Sequence, residues 1–276
     1  DAVAEIRWAK EAGLRQVLLP SDHHLKLHQL YYRSLDPIWS VLEELDMPVG
    51  RHGAVTGSDA DPDSIAEAHA MGVFETVYFG QRTIPQLVLG GVFERHPDLK
   101  FVFTELGNGH WALDAAASLD GFVMGSQLPG SIIEMFAGEA TAKLSKTPSE
   151  YCRRHIYHGL FATPSAMARR HEIGLDHMMW GADFPHHEGT APHTRLALRG
   201  TLAGYPEDEI RQLLAGNAAE FYGSDLDFLQ TIADRVGPTV DEINTPLEDD
   251  EKPADPNFAM LLEDYAGLSA IVGAGK

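Results

Sequence analysis

Met178-Met179-Trp180-Gly181-Ala182-Asp183-Phe184-Pro185-His186-His187-Glu188-Gly189-Thr190 is the stretch whose reading decides the fold. An apolar run ends on a single aspartate, and a Pro-His-His loop follows at once. A parallel β-strand delivers a carboxylate to the mouth of an α/β fold in this way, and strand ends at that face are where such folds place their chemistry.

Working outward, five short apolar runs rich in β-branched and aromatic residues read as strands: Gln16–Pro20, Pro48–His52, Lys100–Glu105, His155–Phe161 and His177–Asp183. Helical stretches alternate with them. Asp36–Leu45 carries Ile38, Val41, Leu42 and Leu45 at helical spacing, and Asp46-Met47-Pro48 stops it. Phe74–Arg95 has the same period, with Pro85 placed to kink or split it. Arg195–Ala203 and Asp208–Tyr222 are helical by the same test, and Gly223 ends the second. Alternation of strand and helix predicts a parallel sheet. The loops after the strands are polar: Ser21-Asp22-His23-His24, Gly53–Asp63, Leu106-Gly107-Asn108-Gly109-His110-Trp111, and Phe184–His193. Polar groups thus gather at one end of every strand except the fourth.

The chain has 276 residues, 44% of them apolar, enough for one large α/β domain or two small ones with a sizeable core. A formal net charge of -20 repels a nucleic-acid duplex and an anionic membrane surface, so neither is expected as a partner. A small-molecule substrate is compatible with it. Cys152 is the single cysteine, so no intrachain disulfide can form. Arg153 and Arg154 follow it and could lower its pKa, but no motif surrounds it, and an ordinary thiol is expected. No apolar stretch is long enough to span a bilayer. The opening Asp1–Lys10 is charged and helical in pattern, unlike a signal peptide, so a cytoplasmic protein is the default expectation. From about Leu226 the pattern weakens. Asp241–Asp264 holds many acids, Lys252 as its one base, and three prolines, which predicts a solvated acidic extension over 226–276. Within it, Phe258–Leu262 is the piece able to pack back on the body or on a partner.

Asp183 heads the candidate residues. An aspartate there serves as a turn or cap residue in many proteins, but a carboxylate closing a buried strand needs a cation or several hydrogen bonds. His52 ends its strand, where a neutral imidazole is a good ligand for zinc and similar ions. It is equally a residue type that proteins use structurally. Glu105 ends the third strand, and is either a carboxylate held by backbone N–H groups of the glycine-rich turn or a general acid/base. His110 and Trp111 lie in the loop beyond, placed to face substrate. His186, His187 and Glu188 follow Asp183, and one of them could bind substrate or orient the aspartate. In an extended segment two adjacent histidines cannot both point inward; His23 and His24 raise the same conflict. A G-x-S-x-G elbow, a G-x-G-x-x-G turn after a strand, a Walker A loop and H-E-x-x-H are all missing from the sequence.

Four segments together resemble the amidohydrolase-related family, in the branch that includes aminocarboxymuconate-semialdehyde decarboxylase. Trp180–Thr190 resembles the W-G-[ST]-D-[YF]-P-H loop after barrel strand eight. Met47-Pro48-Val49-Gly50-Arg51-His52 resembles the L-P-V-x-x-H of strand five. His96–Phe103 resembles the F-P-x-L-K run into strand six. Pro206–Ile210, leading to Gly216-Asn217-Ala218-Ala219-Glu220-Phe221-Tyr222, resembles the closing helix. The likeness covers roughly residues 1 to 225 and implies a metal-dependent (β/α)₈ TIM barrel with one divalent metal, zinc more than manganese. By resemblance His52 and Asp183 are metal ligands, Asp183 also shuttles the proton as a catalytic residue, and a homodimer is implied.

Two departures matter. Decarboxylases of this family carry a catalytic histidine where this chain has Glu105. A carboxylate can take a proton from water activated by a metal, but it repels a substrate carboxylate unless protonated. Hydrolysis of a small organic substrate, cyclic or aromatic, is therefore the leading expectation, with non-oxidative decarboxylation second. Further, the family's strand-one H-x-H or E-x-H pair has no counterpart before Gln16–Pro20, which by resemblance is strand four. The resemblance thus implies an N-terminally incomplete barrel, since five strands alone would leave two open edges. A complete five-stranded doubly wound domain is the alternative on strand count. An inactive fragment that binds metal poorly is a third possibility, because two ligands fall short of the usual set.

Overall fold

All five apolar runs form strands in the computed structural model, which describes residues 1–20, 29–53, 62–107 and 109–264. The histidine-bearing loop Ser21–His24, most of Gly53–Asp63, Asn108 and the last part of the C-terminal extension lie outside the described residues. The strands are β1 (Val17–Leu18), β2 (Val49–His52), β3 (Phe101–Thr104), β4 (Ile156–Leu160) and β5 (Met178–Trp180). Their order is that of the chain, β1-β2-β3-β4-β5, with helix in between. A doubly wound sheet reverses its order at a switch point, so this order excludes that alternative and matches consecutive strands of a β/α barrel. The chain divides into two compact units, Asp1–His158 and Gly159–Lys276, and the division falls within β4.

In the first unit β1, β2 and β3 pair in parallel, with Val17 opposite Val49, and Val49, Gly50, Arg51 and His52 opposite Phe101, Val102, Phe103 and Thr104. Side chains alternate between faces. Val49, Phe101 and Phe103 join Trp39, Leu42, Ile84, Leu87, Phe93 and Tyr151 in the buried core. Gly50 and His52 share the opposite face. A Cβ at Gly50 would lie 2.0 Å from the Gln16 side-chain nitrogen, so the Gln16 side chain would have to move aside for any larger residue.

The helix expected over Phe74–Arg95 is three helices, Ile65–Gln81, Thr83–Leu89 and Val92–Arg95. The first break is the one expected from Pro85, since the preceding helix ends at Gln81, four residues before it. Pro85 occupies the first turn of the second helix, where a missing N–H has no partner to lose. The breaks fall at Arg82 and at Gly90–Gly91, where Gly91 has φ 64°. His110 and Trp111 are not loop residues: they open the helix His110–Ser126, behind Gly109 at φ 81°.

His155 is 1% exposed, donates from Nδ1 to the Leu99 carbonyl at 2.8 Å, and stacks on Phe93 at 4.3 Å. Burial pushes its pKa from 6.5 down to about 4. Between those values the unfolded chain binds the proton and the folded one does not, so stability is lost as pH falls from 6.5 to about 4. The expected size is up to about 3 kcal/mol. Urea unfolding of the wild type and His155→Gln at pH 7 and pH 4.5 checks this: the wild type should lose more stability on acidification. Equal losses contradict a buried neutral imidazole. Burial also pushes the Cys152 thiol up to about 12, so it is an unreactive thiol despite Arg153 and Arg154.

In the second unit the described residues from 240 to 264 are not a solvated tail. Ile243, Phe258 and Ala259 are buried. Arg199 holds Glu251 through two bonds of 2.7 Å and also donates to the carbonyls of Thr245 and Pro246. Arg195 holds Glu242 at 2.8 Å. Helix Thr194–Leu202 therefore binds the acidic segment by its arginines, and Leu262 packs so close that a Cβ at Gly200 would meet it at 2.8 Å.

Candidate functional site

Each unit carries one cluster at a strand end. In the first, His52 closes β2 and Glu105 follows β3 directly. Glu105 has φ 55°, a left-handed backbone that is uncommon outside glycine and asparagine-like residues. That turn brings its Oε2 to 2.7 Å from His52 Nε2. His52 Nδ1 meets the Gly53 carbonyl. A carbonyl only accepts, so the contact at Nδ1 is one that His52 donates. Both side chains are partly open to solvent, 44% and 30%.

Trp111 lies partly buried against the core, edge-on to Phe103 at 5.1 Å and to His158 at 6.3 Å. His110, the residue before it, is half-buried.

In the second unit Asp183 follows β5 with φ 52°. The chain then turns back on itself: His186 N–H donates to the Asp183 carbonyl at 2.8 Å, Gly189 N–H to the His186 carbonyl at 3.1 Å, and Thr190 N–H to the Ala182 carbonyl at 3.1 Å. This closure places His186 Nδ1 at 2.8 Å from Asp183 Oδ2 and 3.2 Å from Glu188 Oε1. The segment is a turn and not an extended run, so the alternation conflict between His186 and His187 does not arise. His186 folds in, and His187 crosses its ring edge-on at 4.9 Å. Gly189 is buried inside the closure. A Cβ there would lie 2.5 Å from the Ala182 carbonyl oxygen, 2.9 Å from that of Asp183 and 3.1 Å from that of His186.

Among the described residues, Asp183, His186 and Glu188 are the one group of three side chains able to share a metal ion, their ligand atoms all within 4.8 Å of one another. The donor set fits a divalent ion: one imidazole nitrogen with two carboxylates suits zinc, iron or manganese and not a soft ion. Asp183 is the inner member, with its side chain 16% exposed. Sequence reasoning placed Asp183 correctly at the strand end but gave Glu188 no ligand role. Its signal was the Pro-x-x-x-Gly spacing, which makes a tight turn.

The amidohydrolase family model matches residues 2–224, most of the chain. The chain belongs to the amidohydrolase family. No curated protein matches it. Among solved structures it is similar to an amidohydrolase of Mycobacterium avium subsp. paratuberculosis K-10, at 26% identity and TM-score 0.59, covering 80% of this chain and 55% of that one. The 5-carboxyvanillate decarboxylase of Sphingomonas paucimobilis is 21% identical with TM-score 0.64, over 81% of this chain and 63% of that one. The 5-carboxyvanillate decarboxylase of Novosphingobium aromaticivorans, solved with manganese and 4-hydroxy-3-methoxy-5-nitrobenzoic acid, is 16% identical with TM-score 0.62, over 80% and 60%. The chain thus spans 55% to 63% of the length of these three proteins. The fold is the metal-dependent β/α barrel of this family, and the five strands correspond in order to strands four to eight of the resemblance. No helix among the described residues is long and apolar enough to cross a membrane.

Proposed function

We propose that the chain carries the catalytic residues of a metal-dependent carboxy-lyase acting on a small aromatic carboxylate. The observation that carries the metal dependence is the closure that gathers Asp183, His186 and Glu188 within 4.8 Å. The reaction is drawn from the two decarboxylases of the same fold. This reverses the order expected from sequence, and the His52–Glu105 pair supports the change. The objection to decarboxylation was the charge of Glu105. Glu105 Oε2 lies 2.7 Å from His52 Nε2, and a proton shared across that contact would remove the repulsion.

A divalent cation, when bound, supplies positive charge that holds a carboxylate and a neighbouring oxygen of the substrate. Asp183, His186 and Glu188 would hold that cation. Manganese is the ion to test first, since the Novosphingobium enzyme contains it; zinc, the ion implied by resemblance, suits the same donors. The ring carbon needs one proton, from a general acid or from solvent water. The carbon–carboxylate bond breaks, its electron pair takes that proton, and carbon dioxide leaves, so the sum is one proton in and one carbon dioxide out.

The test uses carboxyl-labelled hydroxybenzoates and the manganese-loaded protein in heavy water. Labelled carbon dioxide should collect in the headspace, and the product should carry deuterium at the vacated carbon. Turnover of an amide, ester or lactone with no carbon dioxide would sink this reading and favour a hydrolase. That second reading rests on Glu105 standing where family decarboxylases have histidine. In it, His52 Nε2 is a metal ligand and Glu105 alone is the acid/base.

A further inference from the structure

The segment after residue 224 lies outside the family match, yet it touches the loops that follow both strands of the second unit. Asp255-Pro256-Asn257-Phe258 begins a short helix, Pro256–Leu261. Asp255 caps it, accepting from the N–H groups of Asn257 at 2.8 Å and Phe258 at 3.5 Å. Proline at the first helical position pre-sets the turn. Phe258 anchors it, 4% exposed, with its ring edge-on to His193 at 6.0 Å. Held at both points, Asn257 extends its amide to the Asp183–Thr190 closure: Nδ2 donates to the His187 carbonyl at 3.0 Å. At the far end Glu263, with φ 54°, accepts from Ser165 N–H at 2.8 Å and from the Ser165 hydroxyl, just beyond β4. The Arg199–Glu251 and Arg195–Glu242 pairs tie the intervening chain to helix Thr194–Leu202.

We infer that the acidic C-terminal segment is a strap for the candidate metal loop, and that Asn257 is its positioning residue. This rests on the reading that Asp183, His186 and Glu188 hold the ion. The His187 carbonyl sits between the two outer donors, His186 and Glu188. Within the closure, described backbone bonds hold His186 N–H, Gly189 N–H, Thr190 N–H and the carbonyls of Ala182, Asp183 and His186. The His187 carbonyl is held by Asn257 from outside. Fixing it fixes the peptide plane between His187 and Glu188, which carries the Glu188 side chain, and outer partners of this kind tune metal affinity. The acidic composition of the segment is then explained by its attachment to arginines and not by solvation alone.

The test compares full-length Asn257→Ala and Asn257→Asp with the wild type. Asn244→Ala is the control, because Asn244 accepts from Gly204 N–H in the same unit, away from the loop. Three quantities are measured: manganese affinity by titration, hydrogen exchange of the loop amides without metal, and the urea midpoint. Both Asn257 variants should bind manganese about threefold to tenfold more weakly, the worth of one hydrogen bond. Their His186–Glu188 amides should exchange several-fold faster. Asn244→Ala should leave manganese affinity and loop exchange as in the wild type, whatever it does to the urea midpoint. Wild-type affinity or unchanged loop exchange in the Asn257 variants overturns the strap, and so does an equal loss in Asn244→Ala. If the wild type binds no manganese, the metal reading falls, and the strap then stands or falls on the loop exchange alone.

Discussion

Asp183→Ala should abolish manganese binding and, with it, turnover. Replacing a group that only orients a ligand costs about 10-fold to 100-fold in metal affinity. Asp183 is the inner donor of its cluster, so its loss should exceed about 100-fold. The fold should survive. Asp183 bonds to His186 through its side chain, but the backbone closure of the loop uses main-chain atoms that alanine keeps. Its left-handed φ of 52° is less comfortable for alanine, which adds a cost of order 1 kcal/mol to stability. Manganese titration with parallel urea unfolding separates the two effects. A variant that stays folded and binds manganese as the wild type does would remove Asp183 from the site, and the mechanism with it.

Gly189→Ala should be nearly as damaging, although the residue offers no chemistry. The new methyl group would stand 2.5 Å from one backbone carbonyl oxygen and 2.9 Å from another. Neither can swing away as a side-chain tip would, so the closure must open. Opening breaks the Gly189–His186 and Thr190–Ala182 bonds, at about 1 kcal/mol each. It also separates Asp183 from His186 and Glu188, and manganese affinity should fall at least about tenfold. Gly181→Ala is the matched comparison. Gly181 lies just before the same loop, and nothing stands within 4 Å of its Cβ position, so it should bind manganese normally. If Gly189→Ala binds as tightly as Gly181→Ala, the closure does not shape the site.

Why some of this could be read from sequence, and some not, is a matter of range. The five strands are short runs whose composition differs sharply from their surroundings, and all but the fourth end in a polar tip. Asp183, His52 and Glu105 were legible for that reason. His110–Ser126 was not, because its sequence is rich in alanine and glycine and shows little apolar period. The His186–Asp183 contact was also hidden: alternation is a rule for extended chain, and here Gly189 lets the chain reverse. The C-terminal segment misled most. Acidic composition argues for solvation only when the acids lack partners, and two of these partners, Arg195 and Arg199, sit some 47 and 52 residues earlier in the chain. Spaced at i and i+4 on one helix face, those two arginines were the available signal.

The central claim is that the closure after β5 holds a divalent ion. Titration of the unaltered protein with manganese, following the free ion by electron paramagnetic resonance, tests it most directly. The prediction is one ion bound per chain, with the signal of free manganese suppressed until that equivalent is filled. A free-ion signal rising in proportion from the first addition, as in buffer alone, would contradict it.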